Sequence, residues 1–243
     1  MIGSMGQSWI AITFSLLLTG TAAQATNIEQ AYQEFQKAKQ CQKIMDAEGA
    51  IRHYSQALKL APENHRYYVE RGIAYKDMGK YDLALKDYNK SLTMAPGNIP
   101  ALESRARLYD MTGRLKEAIA DYDCVLKSPQ GNWQTWRHRA ICNRRLKNYL
   151  ESAKDFGTAL KLAGVCQDQQ QMMYYQAEML FLGNDLPGAL SHFDAIIKRF
   201  PDLSGAYWSR AKIYDKMGKA DLAEKDRLKA RKLDEDFDPL NRL

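Results

Sequence analysis

Apolar and polar residues follow one another along this chain at spacings of three and four, the pattern of helices that bury one face. Within residues 65–98, Tyr68, Arg71, Gly72 and Tyr75 share one stripe, and Ala84, Tyr88, Ser91 and Leu92 share another. Gly79 separates the two runs and Pro96 closes the stretch, which predicts two antiparallel helices joined by a sharp turn. The small residues Gly72 and Ala84 let the two backbones approach, with Tyr75 and Tyr88 filling the flanks. A single hairpin cannot bury faces this broad, so it requires neighbours of its own kind.

Those neighbours are present. A shift of 34 residues aligns Ala38, Gly72, Ala106 and Ala140 at the eighth place of successive units. The same shift aligns Ala50, Ala84, Ala118 and Ser152 at the twentieth place, and Tyr54, Tyr88, Tyr122 and Phe156 at the twenty-fourth. After Cys166 the frame slips by three residues, 167–169, and resumes with Ala177, Ala189, Phe193 and Pro201; a sixth copy follows with Tyr207, Ala211, Tyr214, Gly218 and Ala223. This pattern resembles the tetratricopeptide repeat, with its small residues at places eight and twenty, its aromatics and its closing proline. The resemblance implies an all-α fold, a right-handed α-solenoid of six helix-turn-helix repeats at 31–64, 65–98, 99–132, 133–166, 170–203 and 204–237. Repeat one, with Glu34 and Cys41 at places usually aromatic and no turn glycine, suits an outer layer. The last repeat places Glu224, Arg227 and Arg231 where inner repeats carry apolar residues, and so acts as the C-terminal cap. Repeat five is irregular: Gly183 stands one place early at its turn, and Pro187-Gly188 open its second helix.

The first 25 residues hold no charged side chain, and Trp9–Leu18 is an apolar run too short to cross a bilayer comfortably. Ala23-Gln24-Ala25 has the form of a signal-peptidase site. We therefore expect residues 1–25 to be a signal peptide, the mature chain 26–243 to be exported (periplasmic or secreted), and no stable membrane insertion after cleavage. An uncleaved anchor is the alternative. Thr26-Asn27-Ile28-Glu29 reads as a capping box opening the first helix.

Charge adds one feature. The net charge of +6 is accounted for by the stretch between Cys124 and Leu150, where Lys127, Arg137, Arg139, Arg144, Arg145 and Lys147 meet no Asp or Glu. Nucleic acid fits this basic stretch but conflicts with the export signal and the modest total charge. Arg71, Arg105, Arg139 and Arg210 recur at place seven, and Asp87, Asp121, Asp155 and Asp226 at place twenty-three of the same repeats. Repeats one and five lack both, which predicts ion pairs within a repeat, since a buried charge without its partner is costly.

The other chemistry is sparse. Cys41, Cys124, Cys142 and Cys166 lack metal-type spacing, as do His53, His65, His138 and His192. One disulfide is conceivable in an exported protein. Phosphate loops, nucleophile elbows and paired carboxylates are missing from the sequence, so we read no enzyme, no cofactor and no metal.

In tetratricopeptide arrays the first helices line a concave groove where ligands lie; carried onto this chain, the inward places are the second, fifth, sixth, ninth, twelfth and thirteenth. Repeat three then offers Glu103, Arg107 and Asp110, a spacing that suggests neutralisation on the helix. Repeat four offers Arg137, His138, Ile141, Arg144 and Arg145; repeat five Tyr174, Tyr175, Glu178 and Phe181; repeat six Trp208 and Lys212. The family's clamp for a C-terminal dicarboxylate needs Lys and Asn at places where repeat two has Val69 and Ile73 and repeat four has Gln134 and His138, so it is disfavoured. The candidate site is Arg137, His138, Ile141, Arg144, Arg145, Tyr174, Tyr175 and Trp208. The expected function is an exported scaffold binding an extended, acidic segment of another protein; the alternative is a polysaccharide- or cell-wall-associated protein, since Arg beside aromatics also suits acidic glycans.

Overall fold

Alanine-rich stripes and short turns divide the chain into helix pairs. The computed structural model describes residues 5–129 and 131–234, with side chains from residue 24 onward. These residues form twelve α-helices and no strand, the all-α helical-repeat solenoid class. The helices are α1 (Met5–Lys43), α2 (Ala47–Leu60), α3 (His65–Asp77), α4 (Tyr81–Met94), α5 (Ile99–Met111) and α6 (Leu115–Leu126). They continue with α7 (Trp133–Arg145), α8 (Tyr149–Ala163), α9 (Gln169–Leu182), α10 (Leu186–Arg199), α11 (Ser204–Lys216) and α12 (Ala220–Leu233). The chain divides into two units, Met1–Leu108 and Tyr109–Leu243.

One expectation fails at the start. α1 runs without a break through residues 20–30, so Thr26 lies inside a helix instead of opening one. The reason is composition: Ala22, Ala23, Gln24 and Ala25 are strong helix formers, and their propensity outweighs the capping signal. Among the described residues no helix is long and apolar enough to cross a membrane.

The fifteenth place of every repeat adopts a left-handed backbone: Met45, Gly79, Gly113, Lys147, Asn184 and Gly218 have φ of 60, 72, 79, 64, 64 and 71°. In repeat five this residue is Asn184, not the neighbouring Gly183, which keeps φ −76°. Asparagine tolerates the conformation better than most residues with a Cβ. Repeats one and five, which lack turn glycine, share another device. Asp46 accepts from the Gly49 amide and Asp185 from the Gly188 amide, capping α2 and α10. A Cβ on Gly49 or Gly188 would collide with the capping carboxylate, so Gly188 serves the cap.

Within the first unit the core is Ala31, Phe35, Ala38, Ala50, Tyr54, Ala57 and Tyr67. Gly72 lies against the Tyr88 ring so closely that a Cβ would sit 2.6 Å from it, which is why a glycine holds the eighth place there. In the second unit Ala140, Phe156, Ala159, Met172 and Met179 form one cluster, and Ala177, Phe193, Ile196, Ala206 and Ile213 the next.

The place-seven arginines do more than the sequence predicts. Arg71 grips Asp87 with two bonds of 2.8 Å, Arg139 grips Asp155 at 2.9 and 2.6 Å, and Arg210 grips Asp226 at 2.7 Å twice. Each also reaches place twenty-five of the preceding repeat: Arg71 to Ser55, Arg139 to Asp123 and Arg210 to Asp194. Arg105 likewise donates to Asn89 at 2.6 Å. One guanidinium therefore ties two layers together. In repeat one the contact between the two helices is a different one, His53 bonding Glu34 at 2.7 Å. At the α8–α9 junction the rung is missing. Gln176 replaces the arginine, lies over Gly157 at place twenty-five, and His192 at place twenty-three turns to the Gly188 carbonyl.

Candidate functional site

The first helices α7, α9 and α11 of the second unit carry all eight candidate residues. Their inward places do not point alike, and that decides what the site can do. Place thirteen reaches back to place twelve of the preceding first helix, as Lys216 does over the Phe181 ring at 4.5 Å. Arg145 does the same, donating to the Asp110 carboxylate and to its carbonyl at 2.9 Å. The sequence assigned Asp110 to Arg107 on its own helix and left Arg145 without an acidic neighbour. Both readings are corrected, because adjacent first helices bring place twelve of one beside place thirteen of the next.

Arg144 turns the other way. Its guanidinium lies 4.7 Å above the Tyr175 ring, and among the described residues it makes no ion pair. Tyr175 is braced from below by Phe156 at 5.5 Å, and its hydroxyl accepts from Gln171 at 3.3 Å. Arg137 is half-buried and reaches Gln171 at 3.5 Å. His138 stacks on Tyr122 at 6.0 Å, nearly parallel, and Ile141 packs against the core cluster beneath, so both act as floor. The Tyr174 hydroxyl bonds the Ser209 hydroxyl at 2.6 Å, and its ring meets the edge of Phe193. Trp208 is half-buried on α11. The structure thus brings Arg144 and Tyr175 together directly, places Arg137 beside them through Gln171, and takes Arg145 away.

Two residues belong to the face that were not singled out. Lys212 of α11 is exposed and, among the described residues, without an ion pair. Glu178 of α9 is half-buried and among the same residues also without an ion pair; burial holds its carboxyl above the ordinary range, opposed by the charges of Arg144 and Lys212. Their inward places were readable, but the burial of Glu178 depends on the packing of α9 and was not. Lys212, Glu178 and Arg144 make a charge sequence of plus, minus, plus across three helices.

The remaining reactive groups carry no second site. All four cysteines are free thiols. Cys142 is fully buried, and burial, with Asp110 beside it, pushes its thiol up to about 12. Among the described residues no group of His, Cys, Asp or Glu is placed to hold a metal ion.

Two family models described as "Tetratricopeptide repeat" match residues 65–98 and 144–204. In those two stretches the chain matches the tetratricopeptide repeat. The second match takes in Arg144, Arg145, Tyr174, Tyr175 and Glu178 of the face just described. Among curated relatives, the Hsp70-Hsp90 organizing protein of Triticum aestivum is 27% identical over 205 residues, covering 80% of this chain and 34% of the relative. The chain therefore spans about a third of that relative's length. Of solved structures, the repeat protein YrrB, described as having an unusual peptide-binding site, superposes with a TM-score of 0.65 at 17% identity, covering 75% of this chain and 93% of its own. The Pseudomonas aeruginosa protein pilF gives 0.59 at 14% identity, over 87% and 95% of the two chains. At these identities the structural likenesses establish the fold.

Proposed function

We propose that this protein is an interaction scaffold whose α7–α9–α11 face holds an extended, acidic segment of another protein. The observation that carries the reading is the Arg144 guanidinium held over Tyr175 and, among the described residues, in no ion pair. An arginine already stacked on a ring has lost much of its side-chain freedom, so pairing it with an incoming carboxylate costs little further entropy. Lys212 supplies a second free cation on the same face, and Tyr174, Tyr175 and Trp208 supply apolar surface between them. The peptide-binding site described for YrrB is a property of that protein and sets the direction of the reading only.

The test is fluorescence anisotropy with a labelled peptide of glutamates and one phenylalanine, titrated with the full chain at two salt concentrations. Binding weakens as salt rises, because exposed charges are screened beyond about 10 Å at 0.1 M. Arg144→Glu abolishes it with unchanged circular dichroism, whereas Arg145→Glu acts mainly on stability through Asp110. Retained affinity in Arg144→Glu would move the site elsewhere. We further propose export of the scaffold with residues 1–25 removed, on the strength of the uncharged apolar leader and Ala23-Gln24-Ala25. N-terminal sequencing of exported protein should read from Thr26.

A further inference from the structure

Glu178 is the one acidic group on this face, half-buried and, among the described residues, without a hydrogen-bonded or ion-pair partner. It lies at place nine of its repeat, where Ile141 stands on the helix before and Lys212 on the helix after. Arg144 and Lys212 act on it electrostatically, yet neither comes within ion-pair distance: the first is held on Tyr175, the second points into solvent. A half-buried carboxylate left without a hydrogen-bonded partner works against the folded state. An isosteric amide would serve packing equally well. The geometry is that of a receptor awaiting a cation from outside, flanked by two cations awaiting anions.

Resting on the reading above, we propose that Glu178 receives a lysine or arginine side chain of the bound segment, with Arg144 and Lys212 taking acidic residues on either side of it. The face then selects a basic residue set among acidic ones and discriminates against uniformly acidic segments. The discrimination is a difference between two states: a cation at the centre satisfies Glu178, whereas a carboxylate there meets like charge at close range.

Three synthetic peptides separate the possibilities. They share glutamates and one phenylalanine and differ only at the central residue, which is lysine, norleucine or glutamate. Against the full chain at neutral pH, the lysine peptide should bind about tenfold more tightly than the norleucine peptide, the ratio expected for one buried charge-assisted pair. The glutamate peptide should bind more weakly than either. Glu178→Gln, which keeps shape and volume, should bring all three within about twofold by removing both attraction and repulsion, without weakening the norleucine peptide. If the norleucine peptide matches the lysine peptide, or if Glu178→Gln leaves the ratio unchanged, the inference is overturned while the acidic-segment reading stands. If none of the three binds, both fall together.

Discussion

Replacing Arg139 by methionine removes three charge-assisted hydrogen bonds at once and leaves their acceptors in unequal surroundings. Asp155 is 2% exposed and would retain only the Asn143 amide, at 3.1 Å. Asp123, whose side chain is 42% exposed, would turn to water. Breaking a buried pair by deleting one partner costs about 3–5 kcal/mol, because the remaining charge cannot be hydrated. An exposed pair contributes about 0.2–1 kcal/mol. Arg139→Met should therefore cost on the order of 3–4 kcal/mol, and Asp123→Ala less than about 1 kcal/mol. The double variant Arg139→Met/Asp155→Leu should recover most of the loss, all but the ~1 kcal/mol of the Asn143 hydrogen bond. Urea unfolding followed by far-ultraviolet circular dichroism gives the totals, and hydrogen exchange across α7 and α8 shows that the loss is local. Equal costs for Arg139→Met and Asp123→Ala, or a double variant no better than the single, would refute the assignment of the stabilisation to the buried carboxylate.

Lys147 holds φ 64°, so Lys147→Gly should raise the unfolding free energy by about 1 kcal/mol, since a left-handed residue with a Cβ is strained by roughly that amount; a lowered urea midpoint would mean the lysine side chain contributes more than its backbone costs. Glu178 titrates above the ordinary value in the folded chain, so its proton stabilises the fold below about pH 4.5, and that stability is lost as pH rises through the raised value. Glu178→Gln should thus be more stable than the wild type at pH 7.5, with the difference closing in acid, as thermal melts at several pH values would show.

The parts of this fold that were legible in sequence are those in which identity repeats. Arg71, Arg139 and Arg210 keep company with Asp87, Asp155 and Asp226 across whole repeats, and a paired charge leaves that trace. The second arm of each arginine left none, because Ser55, Asn89, Asp123 and Asp194 are four acceptors of three residue types, alike only in offering an oxygen to the guanidinium. The site was legible by place and not by direction. Arg144 and Arg145 adjoin in sequence, but they meet different neighbouring helices, and that difference arises from packing between repeats. Thr26 misled for the opposite reason: a local signal was sound in itself and was outweighed by the helix propensity around it.

Gln176 and Gly157 also bear on how the array comes apart. A stack of layers unfolds as a chain of coupled springs, and the coupling between neighbours decides whether it opens all at once or in sections. Wherever a guanidinium reaches back to the layer before it, melting that layer removes one of the arginine's hydrogen bonds, and the two tend to open together. Across α8 and α9 Gln176 stands in the arginine's place and, among the described residues, makes no such bond. The α8–α9 junction is consequently held by apolar packing, Phe156 against Tyr175 and Met172 within it, and its cohesion should answer to denaturant more than to salt or pH.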